Sequence, residues 1–466
     1  MDTTTPLPST PAPRGVLAGL GLAMLLPALG TSIANVALPA LARQFALPST
    51  HVQWVVIAYL LTLTAAVVAA GRLGDVWGRR RLLLAGLALF ALASLAAGAA
   101  PGLGWLIAAR VAQGLGAAVM MALTLALVGE VVPKAQAGSA MGLLGTLSAV
   151  GTALGPSLGG LLLATWGWQA VFWVNVPLGL AALALAWWQL PLDRATPPRT
   201  VRFDHLGTAL LALSLTAYAL SMTLQPGAWG ALNTGLLLTA ALGLAAFAWV
   251  ETRAPAPLLR LQTLRQPAVA TGVAVNALIT TVVMATLVVS PFYLAGGLGL
   301  DAARMGLVMT TGPAVAALAG APAGKLVDRL GASRVTWAGL LLMLAGTAAL
   351  PWASATWGAL GYAATLAFIT AGYASTQAAN NTAVMASAPA DQRGLVSGLV
   401  NLSRNLGLIT GASAMGAVYQ WGATATTAAG RLDALAGLRL AFGVATGLLV
   451  LAMVVGAMGM RVTHRG

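Results

Sequence analysis

The sequence predicts an all-α membrane protein of fourteen transmembrane helices: two six-helix bundles with two extra helices between them. Three observations predict it. The 466-residue chain is 59% hydrophobic and 7% charged, with a mean hydropathy of +0.87, where a soluble domain carries about 25% charged residues. Two stretches, GRLGDVWGRRR (Gly71–Arg81) and GKLVDRLGASR (Gly324–Arg334), share the frame G-x-L-x-D-x-x-G and are both rich in Arg. Such a repeat of a charged island in an apolar background marks two related membrane bundles. Finally, the basic residues alternate between the ends of successive apolar runs.

Taken in order, residues 1–14 form a Pro/Thr-rich tail, expected to be disordered and cytoplasmic. The apolar run that follows outlasts the ~7–15 residues of a signal-peptide core, and its preceding tail is barely basic. It reads as the first span. A span needs ~20 apolar residues. Cutting at charges, Pro/Gly clusters and Trp gives spans at 15–40, 52–70, 82–100, 103–128, 138–165 and 168–190, which make the N-terminal bundle (15–190). The two-helix insert (191–266) holds spans at 206–224 and 231–250. It is flanked by the polar linkers PLDRATPPRTVRFDH (191–205) and ETRAPAPLLRLQTLRQP (251–267). The C-terminal bundle (267–460) holds spans at 267–295, 303–323, 335–353, 356–387, 394–420 and 435–460, before a short cytoplasmic tail (461–466). The turns AAPGLG and SATWG divide spans 3/4 and 11/12; merging either pair would invert everything downstream.

Charge counting supports this division. With both termini inside, 18 of the 24 basic residues fall in inner loops and 4 in outer loops (Arg43, Arg304, Arg431, Arg439), and a positive-inside bias sets topology. Many Trp residues, among them Trp54, Trp105, Trp166, Trp168, Trp187, Trp188, Trp249, Trp352 and Trp421, sit near predicted span ends, as interfacial belts do.

Composition also excludes functions. The net charge of +14 reads as basic inner loops, not a nucleic-acid surface. With no cysteine there is no disulfide, thiolate nucleophile or cysteine metal site. No HExxH motif or close His pair is present, so neither an embedded enzyme nor a metal centre is expected. GAPAGKL (320–326) falls short of G-x-x-x-x-G-K-[ST], which argues against an ATP-driven pump.

Several motifs carry a resemblance. GRLGDVWGRRR is similar to the loop-2/3 signature of the major facilitator superfamily, and LIAARVAQGLGAA (106–118) to its helix-4 motif. GTALGPSLGG (151–160) matches its helix-5 antiporter signature. WGWQAVFWVNVPLG (166–179) and FDHLG (203–207) resemble the fourteen-helix drug:proton antiporter branch. The resemblance implies a major facilitator fold and a multidrug efflux transporter. It also implies a small-molecule substrate, no cofactor, a proton gradient as energy source, a monomer, and a multi-pass place in the plasma (inner) membrane.

It further implies roles for residues. Gly71, Asp75, Gly78, Arg79 and Arg80, with Gly324, Asp328, Arg329 and Gly331, would form two gating loops. Asp75 would latch onto the start of span 13 (Arg393–Gly398) and Asp328 onto the start of span 5 (Gly138–Gly142). A carboxylate at a helix N-terminus gains ~0.3–1 kcal/mol, enough to bias a gate and weak enough to release. The bland alternative is that each Asp caps its own turn beside neighbouring Arg residues. Gly151, Gly155 and Gly159 recur on one face of span 5, broken by Pro156 and extended by Gly160. They suit close packing, with span 10 and its Gly312-Pro313 as the expected partner.

Arg110 and Arg404 lie inside spans, where a charge costs ~2.5–3.5 kcal/mol and faces a cavity or a partner. Arg110 matches the family position linked to proton coupling, so it is expected to act there. For Arg404, a cavity role and simple bonding to carbonyls stay open. Further cavity candidates are Asn35, Gln113, Asn276, Gln377, Asn380, Asn381, Asn401 and Asn405. The chain departs from the branch in LGTSIANVALP, where Gly30 stands in place of a helix-1 Asp. All ten acidic residues fall in tails, loops or span edges, and Glu130 and Asp301 are the nearest substitute proton carriers. With two Arg and no acid, the cavity would suit neutral or anionic amphiphiles. The runner-up function is a passive facilitator or an uptake transporter of the same fold.

Overall fold

The computed structural model describes residues 14–132, 134–193, 204–224, 230–253, 264, 266–387, 393–425 and 433–463. Within them every regular element is helical. Residues 1–13 of the predicted tail (1–14) and the middle of both polar linkers lie outside the described residues, while Arg14 already opens the first helix.

The helices are α1 (Arg14–Phe45), α2 (Ser49–Val52), α3 (Trp54–Trp77), α4 (Arg79–Gly98), α5 (Leu103–Val131), α6 (Lys134–Trp166), α7 (Trp168–Trp173) and α8 (Asn175–Gln189). They continue as α9 (His205–Thr223), α10 (Ala231–Arg253), α11 (Pro267–Gly296), α12 (Ala302–Leu330), α13 (Ala332–Ser387), α14 (Arg393–Thr410), a π-turn (Gly411–Met415), α15 (Gly416–Ala425) and α16 (Ala434–Thr463). Eleven of the described helices are long and apolar enough to cross a membrane. One of them, α13, is 56 residues long and breaks at Gly358 (φ 58°), at the end of the predicted SATWG turn. The α7/α8 step has a local cause. Pro177 has no N–H to give back to the Trp173 carbonyl, and beside it the Asn175 side chain donates to the Phe172 carbonyl at 3.3 Å.

The two charged islands are helical, not loops as the sequence reading placed them. Gly71–Trp77 form the last turns of α3, and Gly324–Leu330 those of α12. Each ends on one glycine in the left-handed region: Gly78 at φ 94° and Gly331 at φ 85°. Each glycine N–H closes the helix behind it, Gly78 onto Gly74 O (3.1 Å) and Gly331 onto Val327 O (2.9 Å). Both carbonyls then start the next helix, at Leu82 N and Val335 N. Glycine alone takes this turn without strain. The internal repeat is thus a repeat of backbone geometry.

Buried apolar side chains gather in two large groups. One is centred on α1, α3, α4, α5 and α8, the other on α11, α13, α15 and α16. Helices α9 and α10 pack on each other, and α9 rests on α3 and the π-turn, where Trp54 Nε1 donates to Thr223 Oγ1 (2.9 Å). Trp105, Trp166, Trp187, Trp188, Trp249, Trp352 and Trp421 are exposed, as the belt predicts, but Trp168 is buried, edge-on to Phe45 and Phe172.

Candidate functional site

Helices α1, α3, α5 and α6 from the N-terminal half of the chain and α11, α12, α13 and α14 from the C-terminal half enclose a cavity of about 150 Å³. Its walls are mostly apolar (Leu60, Leu63, Met121, Leu287, Met309, Leu366), with a band of hydroxyls from Thr31, Ser32, Ser148, Thr152, Thr286, Ser290 and Thr370. Among the described residues one charged side chain lines it, Arg404, next to Asn405. Arg404 makes no hydrogen bond or ion pair among those residues, and its Nε is shielded from solvent yet unpaired.

Arg110 is the opposite case. It is fully buried and lies away from the cavity lining. Its Nε donates to Val55 O (2.7 Å), one terminal nitrogen to Gln113 Oε1 (2.5 Å) and the other to Gly30 O (3.1 Å). The guanidinium carbon sits 4.1 Å from the Tyr59 ring centroid, a cation–π contact. Gln113 passes the chain on to Ser94 Oγ at 2.8 Å. Arg110 therefore ties α5 to α1 and α3, and Gly30 serves it with a carbonyl where a carboxylate was absent.

The other predicted cavity residues are mostly structural links. Asn35 is buried and donates to Thr31 O at 2.8 Å within α1. Asn276 donates to Val400 O and Ser403 Oγ, both 2.9 Å, joining α11 to α14. Asn380 donates to Gly272 O at 3.0 Å, joining α13 to α11. Gln377 and Asn381 do not line the cavity. The hydroxyl band was missed by the sequence reading, although Ser148/Thr152 and Thr286/Ser290 stand four apart on their helices and so share a face.

The helix-5 glycines divide between two partners. A Cβ at Gly151 would lie 2.5 Å from Leu25 O, one at Gly155 would overlap Ser32 Oγ, and one at Gly159 would reach Ile33 Cγ1 at 2.9 Å. All three face α1, not α12 as expected. Gly160 does face α12, where its Cβ would meet Ala302 O at 2.6 Å and Gly306 Cα at 2.9 Å; Gly306 in turn abuts Pro156 O. Gly312 lies against Leu366 and Thr370 of α13 instead. Near the same end, Ser49 Oγ donates to Gln420 Oε1 (2.8 Å), joining α2 to α15.

At the charged end, Arg80 N and Arg81 N donate to the two carboxylate oxygens of Asp193 (2.9 and 3.1 Å). This acid follows α8 and caps α4, a role the sequence did not reveal. A Cβ on Gly78 would overlap the Asp193 carboxylate. Arg80 also donates to Trp187 O at 2.5 Å and stacks on its ring, and Arg79 reaches Ala126 O at 3.4 Å. These partners belong to the same group of helices. Gly324, Asp328 and Arg329 lie near the end of α12, the last two exposed. The side chains of Asp75 and Glu130, and those at the starts of α6 and α14, lie outside the described residues, so the predicted latches do too. Asp301 is exposed, caps α12 through Arg304 N (2.8 Å) and pairs with the Arg304 side chain. It stands apart from the cavity.

The sequence profile of the Major Facilitator Superfamily matches residues 20–412. The chain belongs to the major facilitator superfamily. It is an integral membrane transporter, not an enzyme. This superfamily member is 34% identical over 407 residues to the multidrug resistance protein Stp of Mycobacterium tuberculosis, covering 86% of this chain and 75% of that one. It is 30% identical over 413 residues to the tetracenomycin C resistance and export protein of Streptomyces glaucescens (87% and 75%). To the riboflavin transporter RibZ of Clostridioides difficile it is 29% identical over 401 residues (85% and 86%). Among solved structures, a bacterial homologue of the human lysosomal transporter Spinster, inward-facing and unoccupied, superposes with a TM-score of 0.71 at 16% identity, covering 97% of this chain and 98% of that one. At that identity the likeness speaks for the fold alone.

Proposed function

We propose that this transporter exports small amphiphilic molecules by alternating access, in exchange for protons. The observation that carries the reading is the cavity itself: apolar, hydroxyl-banded and walled by helices from both halves. Beyond it, α6 and α12 close one end backbone to backbone. Opening that contact while closing the other end would carry a bound molecule across. Relatives named for drug resistance and export support the outward direction.

The same reading includes fourteen spans: α2–α3, α7–α8 and α14–α15 each count as one, and α13 as two. Both termini would be cytoplasmic in the plasma (inner) membrane, the domains would divide at 190/191 and 266/267, and the protein would work as a monomer. The islands around Gly78 and Gly331 would form the cytoplasmic gate.

A passive facilitator is the second reading, favoured by one observation: among the described residues no carboxylate or histidine lines the cavity. Export from efflux-deficient bacterial cells, measured against a drug gradient with and without a protonophore, separates the two. Uphill export that collapses with the protonophore is expected. Equilibration unaffected by the protonophore would establish the facilitator, and net accumulation inside would establish uptake.

A further inference from the structure

We propose that the central cavity selects amphiphiles bearing an anionic group, a carboxylate, sulfonate or phenolate, seated on Arg404. This rests on the reading that the cavity is the substrate site.

The polar groups of the cavity differ in what they have left to offer a ligand. Thr31 Oγ1 donates to Pro27 O, Thr152 Oγ1 to Ser148 O and Thr286 Oγ1 to Val283 O. Their protons are spent on their own helices, so toward the cavity they offer lone pairs. Among the described residues the hydroxyls of Ser148, Thr370 and Tyr373 stay free to donate or accept, and the charged donor is on α14: the unpaired guanidinium of Arg404, beside the amide of Asn405. Arg110, by contrast, has its donors engaged by Gly30, Val55 and Gln113. An ionic group inside a membrane protein faces a partner or a cavity. Among the described residues Arg404 faces the cavity without a partner, and none of them lends the cavity a carboxylate.

An anion supplies that partner. It receives charge-assisted hydrogen bonds from a planar fork that fits carboxylate and sulfonate geometry. The rest of an amphiphile finds the apolar wall of Leu63 and Met121, and its hydroxyl or amine hydrogens find the acceptor lone pairs on α1, α6 and α11. A cation meets an uncompensated like charge instead.

The test uses three probes with one apolar body: pyrenebutyrate, pyrenebutanol and pyrenebutyl-trimethylammonium. Binding to the full chain in nanodiscs is measured against empty nanodiscs. The carboxylate is expected to bind about tenfold or more tightly than the ammonium, as one charge-assisted hydrogen bond supplies. Arg404→Gln should bring the three within about threefold, while Arg404→Lys keeps a preference for the anion. Pyrenebutanol should lose much less affinity than pyrenebutyrate in Arg404→Gln, and thermal unfolding of each variant reports that it folds. Equal or tighter ammonium binding, or an anion preference that survives Arg404→Gln, overturns the proposal while leaving the transport cavity intact. If none of the three binds the wild type, the cavity reading falls as well.

Discussion

Gly160 and Gly306 meet face to face across the two halves, so closely that a Cβ on either would stand 2.9 Å from the Cα of the other. Small residues let helices approach to backbone contact in a membrane, where packing and not water exclusion holds them together. Overfilling such a contact costs about 1–3 kcal/mol, which shifts a two-state equilibrium by roughly 5–150-fold. Gly306→Val and Gly160→Val should therefore hold this end open. Export should fall at least about tenfold, with insertion unchanged. Labelling of a cysteine placed at Gln420 by a membrane-impermeant maleimide should rise, since Gln420 lies at the same end. Unchanged export in both variants would mean that the contact does not close.

The two glycine turns make a graded pair. Gly78 and Gly331 share positive φ, so Ala at either pays the left-handed penalty of about 1–2 kcal/mol. Gly331 has open space around it, whereas a Cβ on Gly78 runs into the Asp193 carboxylate. Gly78→Ala should lower thermal stability more than Gly331→Ala. Asp193→Ala removes the cap of α4 and should cost about 0.5–2 kcal/mol. In an Asp193→Ala background the gap between the two glycine variants should shrink. Thermal unfolding of the purified variants checks all three.

Arg110 is expected to act as a tie between helices. Arg110→Gln strips donors from Gly30 O and Val55 O and should destabilise by roughly 1–3 kcal/mol. Pyrenebutyrate affinity should stay within about threefold, because Arg110 does not line the cavity. A stable variant with lost binding would reverse the roles assigned to Arg110 and Arg404.

Glycines in α1 and α6 should differ by environment. A Cβ at Gly30 would have ordinary contacts, 3.4 Å to Phe90 and 3.5 Å to Tyr59, while one at Gly155 would overlap Ser32. Gly30→Ala should be neutral or gain up to about 1 kcal/mol of helix propensity. Gly155→Ala should destabilise despite the same gain. Thermal unfolding decides it.

The scaffold was legible because its signals are local. Apolar run length locates spans, and the recurrence of Gly71–Gly78 at Gly324–Gly331 locates the repeat. That these islands are helix on both sides of a single glycine turn was not visible, because charge density looks the same on a helix end and in a loop. The two embedded arginines show the deeper difficulty. Arg110 and Arg404 have the same hydropathic cost, and what separates them is which carbonyls other helices bring near. Gly30 and Val55 lie 80 and 55 positions from Arg110, and no pattern around Arg110 announces them. The glycines of α6 raise the same ambiguity: a small-residue stripe says that a helix packs closely, not whether α1 or α12 is the partner. The hydroxyl band could have been read from the four-residue spacing of Ser148/Thr152 and Thr286/Ser290, since polar pairs on one face of an apolar helix seek a cavity.

If the protein works by alternating access, its two halves separate and rejoin in each transport cycle at the end held by Ser49 and Gln420. The chain has no cysteine, so Ser49→Cys/Gln420→Cys can be joined by a short bis-thiol crosslinker without background. Drug export is then measured in efflux-deficient cells before and after crosslinking. Export in the double variant should stop on crosslinking, while each single variant treated alike keeps exporting. Full export by the crosslinked protein would contradict it.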